Sequence, residues 1–154
     1  MNTTYASDHS IIDIDSHIME PVGWLRSFAD PGVRGDIPEV GEGDPEFADL
    51  LKRAEIDHQR RPKDSEFRAT ATNDYMKMSR KGWLSLGGWD PSERSAALDQ
   101  LGFISQLVFP TSSFVQVAQT PRAGRVAAAR AMNRGLVEFC SDSRLLATAD
   151  RKST

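Results

Sequence analysis

The stretch Ile11-Ile12-Asp13-Ile14-Asp15-Ser16-His17-Ile18-Met19-Glu20-Pro21 decides the fold. Ile11, Ile12 and Ile14 are branched at Cβ and predict a short buried strand, because such side chains pack well on a pleated surface. Asp15 and His17 follow where the apolar run ends. In extended chain, residues i and i+2 point to one face, so these two side chains are expected to converge at the strand's C-terminal mouth. A carboxylate and an imidazole there suit a borderline divalent metal, zinc first and manganese as the alternative. They make half a site, since a catalytic zinc takes about three protein ligands and keeps one position open. The plainer account of Asp-x-His is turn chemistry, with the Asp accepting backbone N–H bonds. A calcium loop is excluded, because Ile18 stands where that loop needs glycine.

Upstream, residues 1–10 are polar and read as a loose lead-in, with His9 at the opposite end of the strand from His17. Downstream, residues 20–88 form a long insertion. Its first part carries Pro21, Pro31, Gly32, Gly35, Pro38, Gly41 and Gly43 and predicts a loop with at most a turn of helix near Trp24, Leu25 and Phe28. Asp44-Pro45 is an N-cap followed by proline at the first helical position, and Phe47, Leu50, Leu51 and Ala54 carry that helix to about Asp57. His58 falls at its end as a cation facing the helix dipole. Residues 59–68, with Pro62, are expected to be exposed. Tyr75, Met76, Met78, Trp83 and Leu84 fit either a helix or an irregular packed segment. Trp24, Trp83 and Trp89 are expected to pack the insertion rather than line a pocket.

Beyond Gly87-Gly88, Asp90 is an N-cap, Pro91 takes the first helical position and Glu93 completes a capping box. Ala97, Leu98 and Leu101 form the buried stripe and Gly102 the left-handed cap. Residues 103–109 then read as a strand closed by Pro110. Thr120-Pro121 opens a further helix with Val126, Ala129, Asn133, Leu136, Val137 and Cys140 on its inner face, and residues 145–149 read as a third strand. Helices feeding short buried strands are α/β grammar. Cys140 reads as a small buried hydrophobe, and Arg94 and Arg122, in first turns of helices, as solvated.

The 154 residues suffice for one domain, 1–154. Charged residues at 27% against 39% apolar place the chain among folded proteins rather than disordered ones. A net charge of −3 leaves no basic footprint for nucleic acid. No apolar run reaches the ~18–20 residues a membrane span needs. Asp8 in a polar lead-in is unlike a signal peptide, and the single cysteine, Cys140, leaves no intrachain disulfide; both point to the cytoplasm.

Several short motifs stand in one order. They are Asp15-Ser16-His17, Gly88-Trp89-Asp90-Pro91-Ser92-Glu93-Arg94, Leu98-Asp99-Gln100-Leu101-Gly102, Gln106-Leu107-Val108-Phe109-Pro110-Thr111, and Ala131-Met132-Asn133 ahead of Arg144-Leu145-Leu146-Ala147. As a set, from about Ile11 to Ala149, they resemble the amidohydrolase-related metal-dependent hydrolases. That group also holds decarboxylases of the aminocarboxymuconate-semialdehyde type. The resemblance implies a (β/α)8 TIM barrel with a divalent metal at its C-terminal mouth. It also implies Asp15 and His17 as the first ligand pair and a small carboxylated or amide substrate. Glu20-Pro21 fits the usual continuation and takes no metal role.

The family's later ligands are His residues from middle strands and an Asp near the last strand, whereas the three histidines here are His9, His17 and His58. A whole barrel takes ~250 residues. Strands at about 11–14, 104–109 and 145–149 therefore read as the first three strand–helix units of a partial barrel. The expectation is a fragment that holds its metal weakly, is inactive alone and self-associates through an open barrel edge. The alternative is a non-catalytic remnant or interaction protein derived from that family; an unrelated α/β binding module explains the ordered motifs less well.

Overall fold

Three parallel strands, β1 (Ile12–His17), β2 (Ser105–Phe109) and β3 (Leu145–Ala147), form one sheet in the order β1-β2-β3. They belong to a computed structural model that describes residues 4–77 and 79–149. Parallel neighbours cannot be joined by tight hairpins, so helical connections carry the chain back each time. The first crossover holds α1 (Trp24–Phe28), α2 (Pro31–Arg34), α3 (Pro45–Arg60), α4 (Ser65–Met76) and α5 (Pro91–Leu101). The second holds α6 (Ser112–Gln119) and α7 (Arg125–Phe139). The architecture is α/β, and among the described residues no helix is long and apolar enough to cross a membrane.

β1 runs past the expected end at residue 14, so Asp15 and His17 belong to the strand itself. Its register against β2 slips: Asp13 pairs with Gln106, but Ser16 pairs with Val108. Three steps on β1 thus match two on β2, which is a β-bulge. One face, shared by Asp13, Ser16, Gln106, Val108 and Leu145, is covered by helices. Val108 (0% exposed) and Leu145 (4%) join Leu98 of α5 and Ala128, Ala129, Met132, Leu136 and Phe139 of α7 in the core. The other face is open. Ile12 is 59% exposed, Leu146 52%, and Ile14, in the bulge, 73%. Their expected burial is therefore corrected: Ile12 and Ile14 point away from the helices, and nothing among the described residues covers them.

The insertion is more helical than its Pro and Gly content suggests. Leu25, Val33 and Ile37 reach the main core. α1 lies against α7 so tightly that a Cβ at Gly135 would meet the Trp24 ring at 2.5 Å. Trp83 packs edge-on against Phe47 with ring centroids 4.8 Å apart. The tryptophans Trp24 and Trp83 thus pack the insertion, as expected. α4 resolves the ambiguous segment as a helix up to Met76; Met78 lies outside the described residues, as do 1–3 and 150–154. The lead-in is docked rather than loose from Thr4 onward. Ala6 is 1% exposed and donates its N–H to the Leu101 carbonyl at 2.8 Å.

Two helical expectations need correction. Thr120 does not open α7: it closes α6, its hydroxyl donating to the Gln116 carbonyl at 2.7 Å. α7 starts only after the turn at Pro121–Gly124; Ala129 (3% exposed) and Leu136 (0%) lie on its buried face as expected, but the two valines do not. Val126 (45% exposed) and Val137 (68%) face outward, while Ala128, Ala131, Met132 and Phe139 face inward. Arg61, expected in an exposed segment, is 2% exposed and donates to both Glu93 carboxylate oxygens, at 2.7 and 2.9 Å.

Candidate functional site

Asp15 and His17 meet at the C-terminal end of β1. His17 Nε2 lies 3.5 Å from Asp15 Oδ1, with the Asp15 side chain 89% exposed and that of His17 37%. The i, i+2 spacing brings them together on the side of the strand away from the core. His17 pairs in register with Phe109, and their rings lie 5.8 Å apart. The turn chemistry weighed for Asp15 belongs to its neighbour: Asp13 Oδ1 accepts the Asp15 N–H at 3.0 Å and stabilises the bulge. His9 is exposed and precedes β1, at the far end from His17.

On its other side the His17 ring is held by β2's continuation. Nδ1 lies 3.1 Å from Thr111 Oγ1. Thr111 is fixed in turn by Glu20, which is fully buried. The Glu20 carboxylate accepts the backbone N–H groups of Thr111 (3.0 Å), Ser112 (2.9 Å) and Ser113 (3.2 Å), and also the Ser113 hydroxyl. A carboxylate thereby satisfies the free amides at the start of α6 and faces the positive end of its dipole.

Beneath the pair lies a polar network that the sequence reading missed. Arg94, expected to be solvated, is 6% exposed. It donates to the carbonyls of Gly87 (2.7 Å) and His17 (2.8 Å), to Ser16 Oγ (2.8 Å) and to Gln106 Oε1 (3.3 Å). Burial pulls its pKa below the ordinary arginine value, with Tyr75 and Asp13 pushing it back up. Gln106 extends the network by donating to Asp13 Oδ2 at 3.0 Å. The signal was present: residues 94, 97, 98 and 101 share one face of α5, and that face is buried.

Glu93 departs from the expected capping box. Asp90 does accept the Glu93 N–H at 2.8 Å, but the Glu93 carboxylate takes the N–H of Gly87 (3.1 Å) and the Arg61 guanidinium. Burial raises the Glu93 pKa, but hydrogen bonds and charge from Arg61 outweigh this and hold it below the usual carboxylate range. Arg61 recruits it from α3, leaving no oxygen for a reciprocal cap. His58 does lie in the last turn of α3, where a basic group faces the helix dipole, but it also has side-chain partners. α3 runs on to Arg60, and the His58 ring sits 3.7 Å from Asp90 and 3.6 Å from Glu93. Cys140 is half-buried, which pushes its thiol up to about 11, so it is not an activated nucleophile.

A cleft of about 360 Å³ opens beside the pair. Residues from both faces of β1 line it, together with Gln106 of β2 and Arg94 of α5. Tyr75, Arg80 and Lys81 also line it, and Arg80 is paired with Asp57 at 3.5 Å. Burial raises the Tyr75 pKa, so its hydroxyl stays protonated. Asp15 and His17 have the right donor chemistry for a divalent metal. Among the described residues, however, no group of three or more His, Cys, Asp and Glu side chains could hold one. The pair therefore fits half a coordination shell.

No family model matches the chain, and neither does any curated protein or solved structure.

Proposed function

We propose that the chain carries the first ligand pair of an amidohydrolase-type metal-dependent hydrolase or decarboxylase, built on the opening strands of a (β/α)8 barrel. The observation that supports this best is the approach of His17 Nε2 to Asp15 Oδ1, 3.5 Å, at the C-terminal end of the first strand of an all-parallel sheet. Barrel enzymes assemble their chemistry at that end of the strands. Asp15 and His17 would hold the ion, zinc or manganese, and donors from outside these three strands would complete its shell. When bound, a divalent metal supplies Lewis-acid polarisation of water or of a substrate carbonyl or carboxylate. Lys81, and Arg80 beside its partner Asp57, line the cleft and would offer positive charge to a small carboxylated or amide substrate. Arg94, by gripping the His17 carbonyl, keeps the strand end in place.

Zinc titration of the purified chain, followed calorimetrically, tests the reading. Weak binding is expected in the parent and none in His17→Ala or Asp15→Ala. Equal binding by all three proteins would overturn it. One tightly held ion per chain would mean that further ligands act here.

The uncovered apolar face, with Ile12, Ile14 and Leu146 exposed, favours a second reading: a non-catalytic interaction protein of the same descent. A chain that binds no zinc yet self-associates would favour it.

A further inference from the structure

We propose that Thr111 is a positioning residue for His17, fixing the tautomer in which Nδ1 carries the proton and Nε2 presents its bare lone pair toward Asp15. The inference deepens the metal-pair reading and rests on it for its purpose, though not for its geometry.

The argument starts from the single proton on the Thr111 hydroxyl. That proton has two candidate acceptors, His17 Nδ1 and Met19 Sδ. The sulfur lies 3.9 Å from Oγ1, within reach of a hydroxyl donating to a large, weak acceptor. If the proton points to sulfur, Oγ1 accepts the Nδ1–H of His17 over 3.1 Å, a good length for an N–H···O bond. If it points instead to Nδ1, the ring proton must sit on Nε2. The acceptor for it there among the described residues is Asp15 Oδ1 at 3.5 Å, too long for a strong bond, with water beside it. Asp15 is also largely exposed, so water satisfies its carboxylate at little cost. The first arrangement makes one good bond and one weak one within the protein; the second makes one good bond, leaves the Met19 sulfur unused and gives the ring proton to water and a long approach to Asp15.

Thr111 can hold this setting because its backbone is fixed and its hydroxyl lies between His17 and Met19. Its backbone N–H is clamped by the fully buried Glu20 carboxylate, which also grips Ser112 and Ser113. The Phe109 ring beside the imidazole limits its rotation on the other side. Glu20 thus orients Thr111, and Thr111 orients His17. Metal-ligating histidines in general use the second ring nitrogen in this way, with an outer acceptor setting the tautomer.

Ring ¹⁵N shifts of the full chain, labelled at histidine, freed of metal by chelation and held at alkaline pH, test the assignment; a His17→Gln sample identifies the resonance. His17 is expected as the Nδ1–H form, unlike the exposed His9. Thr111→Val should shift His17 toward the mixture seen for His9, and Thr111→Ser should restore the parent signature. An Nε2–H ring in the parent, or no change in Thr111→Val, would overturn the proposal without requiring any variant to bind metal. Zinc titration of the same proteins adds a second readout: Thr111→Val should lose about 10–100-fold in affinity, with Thr111→Ser close to the parent. Unchanged affinity in a Thr111→Val chain whose tautomer has shifted would overturn the positioning role. A parent that shows the expected tautomer but binds no zinc supports the Thr111 assignment and removes the metal reading instead.

Discussion

On the covered face of the sheet lie Asp13, Ser16, Gln106, Val108 and Leu145; on the open face lie Ile12, Leu107, Leu146 and the ring of His17. The buried side thus carries an Asp, a Ser, a Gln and, from α5, an arginine, while β-branched isoleucines face water. Burial follows what packs against a strand, not the hydrophobicity of its residues. Each polar group on the covered face is tolerated because it has a partner: Arg94 supplies donors to Ser16 and Gln106, and Gln106 supplies one to Asp13. On the open face the apolar residues have no partner element among the described residues, and the cost remains as exposed hydrocarbon.

The largest expected effect comes from breaking the covered face at its polar centre. Arg94→Met leaves the carbonyls of Gly87 and His17 and the side chains of Ser16 and Gln106 without their donor. Stranded buried acceptors make this a loss of ~3 kcal/mol or more in urea unfolding. Arg94→Lys should recover only part of it, since one ammonium cannot span four acceptors. A loss below ~1 kcal/mol in Arg94→Met would mean that water reaches this network and that the two faces are less different than their burial suggests.

Adjacent residues on β3 give a sharper contrast. Leu145 is 4% exposed and Leu146 is 52% exposed. Leu145→Ala should cost ~2–4 kcal/mol through lost transfer energy and the cavity left behind. Leu146→Ala should stay within ~0.5 kcal/mol. Similar losses at both positions would show that something covers the open face in solution. Sedimentation addresses that directly. The exposed apolar face and unpaired strand edges are expected to drive concentration-dependent association of the chain, reduced in Ile14→Lys. A parent that remains monomeric at all concentrations, with a sharp two-state melt, would contradict this.

Elements with local signals were legible in the sequence. Asp90-Pro91 and Gly102 bracket α5, Asp44-Pro45 opens α3, and the spacing of Asp15 and His17 was enough to bring them together. What was not legible depends on distant partners. α6 lacks a capping side chain of its own because Glu20, 91 positions from Thr111, supplies it. Arg61 looks like surface charge until Glu93 is seen to reach it from another helix. Arg94 is an intermediate case: its stripe was readable, but a charged residue on a buried stripe makes sense only once the carbonyls it serves are in place. The bulge that turns Ser16 inward is marked in residue type only by Asp13, whose side chain accepts the Asp15 N–H.

The smallest effect concerns pH and sets the supported side of the molecule against the exposed pair. Glu93 takes the Gly87 N–H, and the Gly87 carbonyl takes Arg94, so Arg61, Glu93 and Arg94 form one line of support beneath β1. The folded-state pKa of Glu93 is depressed: burial raises it, but Arg61 lowers it further. A depressed carboxyl contributes stability that is fully present above its unfolded value, ~4.3, and is lost as pH falls through its folded value. As pH falls from about 5 the parent should therefore lose stability more steeply than Glu93→Gln, because the variant has no proton to take up there. At neutral pH the order is fixed by the same pairing: Glu93→Gln is the less stable protein, since Arg61 is buried and loses its counter-charge. Asp15→Asn, a carboxyl 89% exposed on the open side, should stay within ~0.5 kcal/mol of the parent at neutral pH. Parallel acid-unfolding curves for the parent and Glu93→Gln would show that the ion pair adds nothing to the covered face. The support of β1 would then have to rest on Arg94 and the apolar core alone.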